Sequence, residues 1–309
     1  MASNFTQPPI THSVEQALAQ TLAQWQQWQC AMPLQTQPTI ARALNSGKSN
    51  HSFLTSAPQP CVIRIDGQSP QKRGLQRQVE WRALESAYTA GLAPAPVYFN
   101  PTLGCMVCAY LQPDLLPDKT TDTDDHRDLT ATGKLLREIH ALPARRHRLD
   151  LKKRIDQYLT QLKAVPNDYQ AGLIALASDI VAAVDSVKDC DGRLVLCHND
   201  LLRENRIRHA GKLYAIDWEY AAMGSGLYDI AVVIEGDELG EHAAVRLMNS
   251  YLQRTPSTIE LETINQYRLI YFYIETLWYC LNDADLSDEL WCLDRLAQLT
   301  GKFDDRRNL

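Results

Sequence analysis

A strand's worth of apolar residues opens directly onto a polar loop at residues 194–205, LVLCHNDLLREN. Leu194, Val195, Leu196 and Cys197 call for burial, and they deliver His198, Asn199 and Asp200 together, with Asn205 at the end of the stretch. The next segment, RIRHAGKLYAID, reads as a hairpin that turns at His209–Ala210–Gly211 and ends on Asp217. An apolar strand feeding a loop, and a hairpin returning to it, predict that Asp200, Asn205 and Asp217 converge. Taken singly, each of these residues is accounted for by a loop whose Asp and Asn side chains bond the backbone. Their joint spacing favours a site.

Such a group has a defined chemical use. A hard divalent ion such as Mg²⁺ takes oxygen ligands and keeps waters and substrate phosphates in its shell. Asn205 offers an amide oxygen and Asp217 a carboxylate. Asp200 is then left to accept a proton from an attacking hydroxyl. These parts suit phosphoryl transfer, in which positioning and charge neutralisation supply nearly all of the catalysis.

The rest of the chain divides by periodicity. Residues 13–30 read as a helix, with Leu18, Leu22, Trp25 and Trp28 at helical spacing. From Thr39 to Pro113 about five strands and one helix are expected: TIARAL, HSFLTS, CVIRID, APVYFN and GCMVCAYL, with the amphipathic helix 76–91 ending at Gly91. After the polar stretch 113–128, helices are expected at 126–141, 150–164, 168–187, 239–254 and 258–281, interrupted by a β island at 193–217. A strand-rich first part followed by a helix-rich second part predicts an α+β chain of two lobes.

Composition narrows the partners. A net charge of −6 argues against a general nucleic-acid or membrane-surface binder. No stretch approaches the roughly 20 apolar residues of a membrane span, and the first residues lack signal-peptide character, so a cytoplasmic protein is expected. The eight cysteines are too sparse for a disulfide scaffold. Cys105 and Cys108 form a C-x-x-C without a second ligand pair, and read as strand residues rather than a zinc site. The basic run 145–154 reads as a solvated helix entry. Oligomeric state is left open.

HNDLLREN followed by AIDWEY resembles the catalytic and metal motifs of the choline/ethanolamine kinase and aminoglycoside phosphotransferase superfamily, including its thiamine kinase-like branch. The resemblance covers about residues 40–280 and implies a protein-kinase-like fold. On that basis residues 1–112 would form a β-rich nucleotide-binding lobe with a leading helix. Residues 113–309 would form a helical lobe with the catalytic loop and substrate pocket. It implies ATP and Mg²⁺ as cofactors, Asp200 as the catalytic base, and Asn205 and Asp217 as metal ligands. Asp229, in GLYDIA, and His198 would support the loop. One departure is Arg203, where the family often has proline.

The first lobe has to supply a cation and its partner. Arg64 lies in the middle of an apolar strand, where a lone charge is costly unless paired; the alternative is an edge strand with Arg64 in solvent. Glu80, on the expected helix, would pair with Arg64 as the family's helix glutamate pairs with its strand cation. The loop NSGKSN is not a P-loop, because Arg42 stands where the first glycine is needed. It resembles the family's phosphate loop through Ser46, Gly47, Ser49 and Asn50, with Phe53 following. Adenine would meet backbone atoms near Ala109 and Leu111, where the family often has an acidic residue that this chain lacks.

For the acceptor, Trp218, Glu219 and Tyr220 follow the metal aspartate, and Glu275 and Trp278 lie in the aromatic segment YRLIYFYIETLWYC. Aromatic faces with a carboxylate suit an ammonium group, which points to a small cationic alcohol such as choline, ethanolamine or thiamine. The same aromatics at helical spacing are equally readable as core. An aminoglycoside phosphotransferase-like enzyme and a catalytically idle kinase-like binding protein are the alternatives.

Overall fold

The computed structural model describes residues 12–44, 49–56, 58–67, 70, 74–115, 122–163, 169–187, 193–282 and 289–307. The chain forms two compact units: Met1–Asp118 with Glu204–Ala221, and Lys119–Arg203 with Ala222–Leu309. The segment Glu204–Ala221 thus groups with the strand-rich part, although it lies far beyond residue 113 in the chain.

The first unit holds an antiparallel sheet in the order β1-β2-β3-β5-β4, from Ile40–Leu44, Asn50–Thr55, Cys61–Asp66, Cys105–Ala109 and Pro96–Asn100 respectively. Alternation along a strand sends successive side chains to opposite faces. On β3 this puts Cys61, Ile63 and Ile65 into one apolar cluster with Val14, Trp28, Phe53, Val97 and Val107. Arg64 points to the other face. Helix α1 (His12–Ala23) supplies Val14 to the cluster. It ends seven residues earlier than its periodicity predicts, because the chain passes into a 3₁₀ turn at Trp25–Gln27 and becomes extended at Trp28.

Helix α2 (Arg77–Thr89) packs on β4, where Trp81 stacks on Phe99 at 5.1 Å. Cys105 and Cys108 are three apart on β5, so they lie on opposite faces and cannot share a metal ion. The hairpin β7–β8 (Arg206–His209, Lys212–Ala215) turns at Ala210 and Gly211 with φ of +49° and +77°. This is the double positive-φ geometry that two-residue hairpins favour. The Asp114 carboxylate accepts from both turn amides at 2.7 and 2.8 Å, offsetting the cost of a left-handed alanine.

The second unit is built round α8 (Thr258–Asn282), which carries Tyr267, Ile270, Tyr273 and Leu277 into one core with residues of α4 (Leu151–Leu162), α5 (Gln170–Val187) and α6 (Gly226–Gly236). Helix α6 was not among the helices expected from the sequence. Tyr228 to Ile234 are all buried, so α6 has no polar face and no helical period to detect. Helix α9 (Glu289–Arg307) and the short strand β9 (Ala222–Gly224), paired with β6 (Val195–Cys197), were also not expected from the sequence. Helix α5 is an exception to the expected lack of a span-like stretch. By length and composition it could cross a membrane, with a mean hydropathy of 1.4, but here it places Leu173, Ile180, Val184 and Val187 in the core.

Helices α3 (Asp122–His140) and α7 (Glu241–Leu252) approach closely at Gly133. A Cβ there would lie 2.7 Å from the Cβ and Oγ of Ser250 and 3.0 Å from the Leu247 carbonyl oxygen. Alanine would gain up to about 1 kcal/mol of helix propensity, but overpacking costs about 1–3 kcal/mol. Gly133→Ala is therefore expected to lower stability by about 1–2 kcal/mol in urea unfolding.

Candidate active site

In the first unit, β3 and α2 bring two arginines onto the face of the sheet opposite the apolar cluster. Arg64 and Arg77 are each only 8% exposed. Buried guanidinium is tolerable only when paired and hydrogen-bonded. Arg64 donates from both terminal nitrogens to Glu80, one bond at 2.8 Å, and Nη1 also donates to Asp217 Oδ1 at 3.0 Å. Arg77 donates to Glu80 at 2.8 Å, Glu219 at 2.9 Å, the Asn50 amide oxygen at 3.0 Å and Asp66 at 2.6 Å. Asn50 closes the set by donating to Glu219 at 3.0 Å.

Asp217 enters this network from the end of β8. Its backbone is left-handed, with φ +60°, and the preceding amide of Ile216 donates to the Asn205 carbonyl at 2.9 Å. Asn205 and Asp217 are thereby held side by side at the open end of the hairpin. Burial pushes the Asp217 carboxyl up to about 7, with Glu219 and Glu80 adding to the rise and Arg64 and Arg77 opposing it. The network sets two guanidiniums against the carboxylates of Asp66, Glu80, Asp217 and Glu219. An amide oxygen, a carboxylate and a surplus of negative charge are the donor set that Mg²⁺ takes, so these residues fit the ion.

Other residues expected at the site are placed as follows. Ser46 and Gly47 lie outside the described residues. Ser49 precedes β2, and its carbonyl accepts from the Gly67 amide at 3.2 Å. Asn50 is buried with its side chain committed to Arg77 and Glu219. The Ala109 amide donates to Ala95 at 2.8 Å and that of Tyr110 to Pro60 at 3.0 Å; Leu111 follows in an extended segment after β5. Trp218 is buried with its indole N–H on the Ala215 carbonyl, and Glu219 belongs to the arginine network, so both serve the framework rather than an open pocket. Tyr220 is half-buried. Cys108, on the Arg64 side of β5, has its thiol pushed up to about 12 by burial despite the nearby guanidinium.

In the second unit, β6 leads into the loop carrying Asp200. The side chain of Asp229, fully buried in the first turn of α6, accepts from the amides of His198 at 2.8 Å and Asn199 at 2.7 Å. His140 of α3 donates to the same carboxylate at 3.0 Å and is itself met by the Tyr251 hydroxyl at 2.8 Å. Burial alone would raise the Asp229 carboxyl, but these bonds and the two histidines hold it below the usual range. His198 is buried, and Asn199 turns the loop through φ +62°. The Arg203 amide donates to Asp237 at 3.0 Å, a bond that proline could not make. The departure from the family pattern therefore adds an anchor to the loop.

Asp200 itself is half-buried. Tyr228 and Tyr271 lie close enough to feel its charge, which adds to the rise that burial imposes on both phenols. Tyr271 donates to Glu275 at 3.2 Å, and Glu275 is also paired with Arg295 of α9. Trp278 is half-buried and meets the ring of Tyr279 edge-on at 5.1 Å. Arg77, Asp66 and Arg295 were not expected at the site; an arginine in the first turn of an amphipathic helix ordinarily reads as solvent-facing.

A kinase-like α+β fold with a strand cation, a helix glutamate and a carboxylate–amide pair is of the phosphotransferase class. The model of the phosphotransferase enzyme family matches residues 40–261, and the chain belongs to that family. It is 42% identical to Protein LicA of Haemophilus influenzae over 59 residues, 19% of this chain, and spans only 22% of that relative's length. Among solved structures it is similar to choline kinase LicA from Streptococcus pneumoniae, with a TM-score of 0.72 and 20% identity over 86% of this chain and 95% of that one. ADP-bound aminoglycoside phosphotransferase APH(2'')-Ib gives a TM-score of 0.60 and 17% identity, covering 85% of this chain and 93% of the other.

The ion network gives two expectations. Arg77→Ala would leave Glu80 and Glu219 buried without their shared cation, and should cost about 3–5 kcal/mol in urea unfolding. Asp217 is an acid whose folded-state pKa lies above its unfolded value, so the folded state binds the extra proton between about pH 4 and 7 and stability falls as pH rises through that window. In metal-free buffer Asp217→Asn should accordingly raise the melting temperature at about pH 8 and leave it unchanged at about pH 4.

Proposed function

We propose that this protein is an ATP- and Mg²⁺-dependent kinase that phosphorylates the hydroxyl of a small cationic alcohol of the choline or ethanolamine type. The observation that carries the reading is Arg64 held between Glu80 and Asp217, with the backbone of Asn205 bonded to the Ile216 amide beside Asp217. Membership of the phosphotransferase enzyme family supports the reaction class, and the likeness to a protein named choline kinase supports the acceptor.

In this reading Arg64, oriented by Glu80, contacts the nucleotide phosphates through a fixed guanidinium fork. Asn205 and Asp217 would hold the metal, which would neutralise charge on the phosphates when bound. Asp200 accepts the acceptor's proton as its oxygen attacks the terminal phosphorus, and ADP leaves. Asp229 keeps the Asp200 loop in register by holding the amides of His198 and Asn199. The acceptor's ammonium group is recognised on the α8 side, near Tyr271, Glu275 and Trp278, where a carboxylate and aromatic faces lie in the same unit as Asp200.

The test is ATP consumption with Mg²⁺ over choline, ethanolamine, thiamine, sugars and aminoglycosides. Turnover is expected with a cationic amino alcohol, and Asp200→Asn should lower it by about 10²–10⁴-fold without loss of folding. Retention of activity within a few-fold in a folded Asp200→Asn variant would remove the base assignment. No ATP consumption with any alcohol of the panel would favour an idle binding protein.

A further inference from the structure

We propose that Arg295 occupies the cation seat of the acceptor site and sets how tightly a cationic alcohol binds; this rests on the reading above. A quaternary or primary ammonium is held by an aromatic face with a carboxylate beside it. The second unit contains that pair on α8, in Phe272 and Glu275. Both are taken by the chain's own guanidinium. The Arg295 Cζ lies 3.5 Å from the centroid of Phe272 and 5.5 Å from that of Trp291, and its Nη2 is paired with Glu275.

The seat lies toward the reacting end of the unit. Glu275 accepts from Tyr271 at 3.2 Å, and Tyr271 is within the influence of the Asp200 charge. Hydrogen bonds therefore link Tyr271 through Glu275 to Arg295, and the Asp200 charge acts on the Tyr271 end of that line. The guanidinium is incompletely satisfied there: its Nε is buried without a hydrogen-bond partner. Such a side chain gives up less on leaving than a fully bonded one. An incoming ammonium group and Arg295 compete for one carboxylate and one ring face. Arg295 is thus a specificity-determining residue, which raises the concentration of cationic acceptor needed without touching the reacting atoms.

The test is calorimetric titration of the full chain with choline and with tetramethylammonium, in the absence of nucleotide. Arg295→Ala should bind both about tenfold more tightly than the wild type, the worth of one partly desolvated cation–π contact. Arg295→Lys, which keeps a cation on the seat, should stay close to the wild type. If the alanine variant does not fold, Arg295→Gln replaces it with the same expectation. Equal or weaker binding by a folded alanine or glutamine variant overturns the proposal. In turnover, the KM for choline should fall in step with its dissociation constant. Binding needs no catalysis, so the two readings fail separately. Tighter choline binding by a protein that phosphorylates no alcohol would sink only the proposed kinase activity. Turnover without tighter binding in the variant would sink only the role of Arg295.

Discussion

Burying a guanidinium in the middle of a β-strand obliges the chain to surround it with carboxylates, and the first unit is organised by that obligation. Arg64 cannot turn to solvent without moving Ile63 and Ile65 out of the apolar cluster on the opposite face. Its partner must come from an element laid across the sheet, which is α2 with Glu80. Once Glu80 is fixed, Arg77 one turn earlier on the same helix faces the same region and gathers Asp66, Asn50 and Glu219. Sheet, helix and the end of the β7–β8 hairpin are tied together by side-chain charge rather than by apolar packing alone.

The same network carries a tension between stability and chemistry. Four carboxylates crowd two guanidiniums, and Asp217 takes the strain as a raised pKa and a left-handed backbone. A residue selected only for stability would be neutral there. Strained backbone and crowded like charge are characteristic of sites where a ligand's charge completes the arrangement. In the second unit the arrangement is the opposite one. Asp229 is fully satisfied by two amides and a histidine, stays ionised, and spends its charge on holding a loop.

Much of this was legible in the sequence, and the parts that were not have physical reasons. The five strands of the sheet follow short apolar runs between turn residues, and the pairing of Arg64 with a glutamate follows from the cost of a lone buried charge. The loop around Asp200 is marked by apolar anchoring on one side and a hairpin on the other. Helix α6 was hidden because a helix buried on every side shows no period. Glu219 follows Asp217 so closely that it reads as part of the pocket, yet its backbone turn sends the carboxylate to Arg77. The role of Arg77 cannot be read locally, since it depends on partners 27 and 142 residues away in Asn50 and Glu219. Glu275 reads as a free anion for a substrate until the next helix, α9, supplies Arg295 from 20 residues further on.

The central claim is that these residues transfer phosphate from a nucleotide to an alcohol. Phosphorus-31 NMR of the purified protein with ATP, Mg²⁺ and choline tests it most directly. The account predicts a new phosphomonoester resonance that grows in step with ADP. ATP that stays unchanged, or that yields only inorganic phosphate, across the choline and ethanolamine series would contradict it.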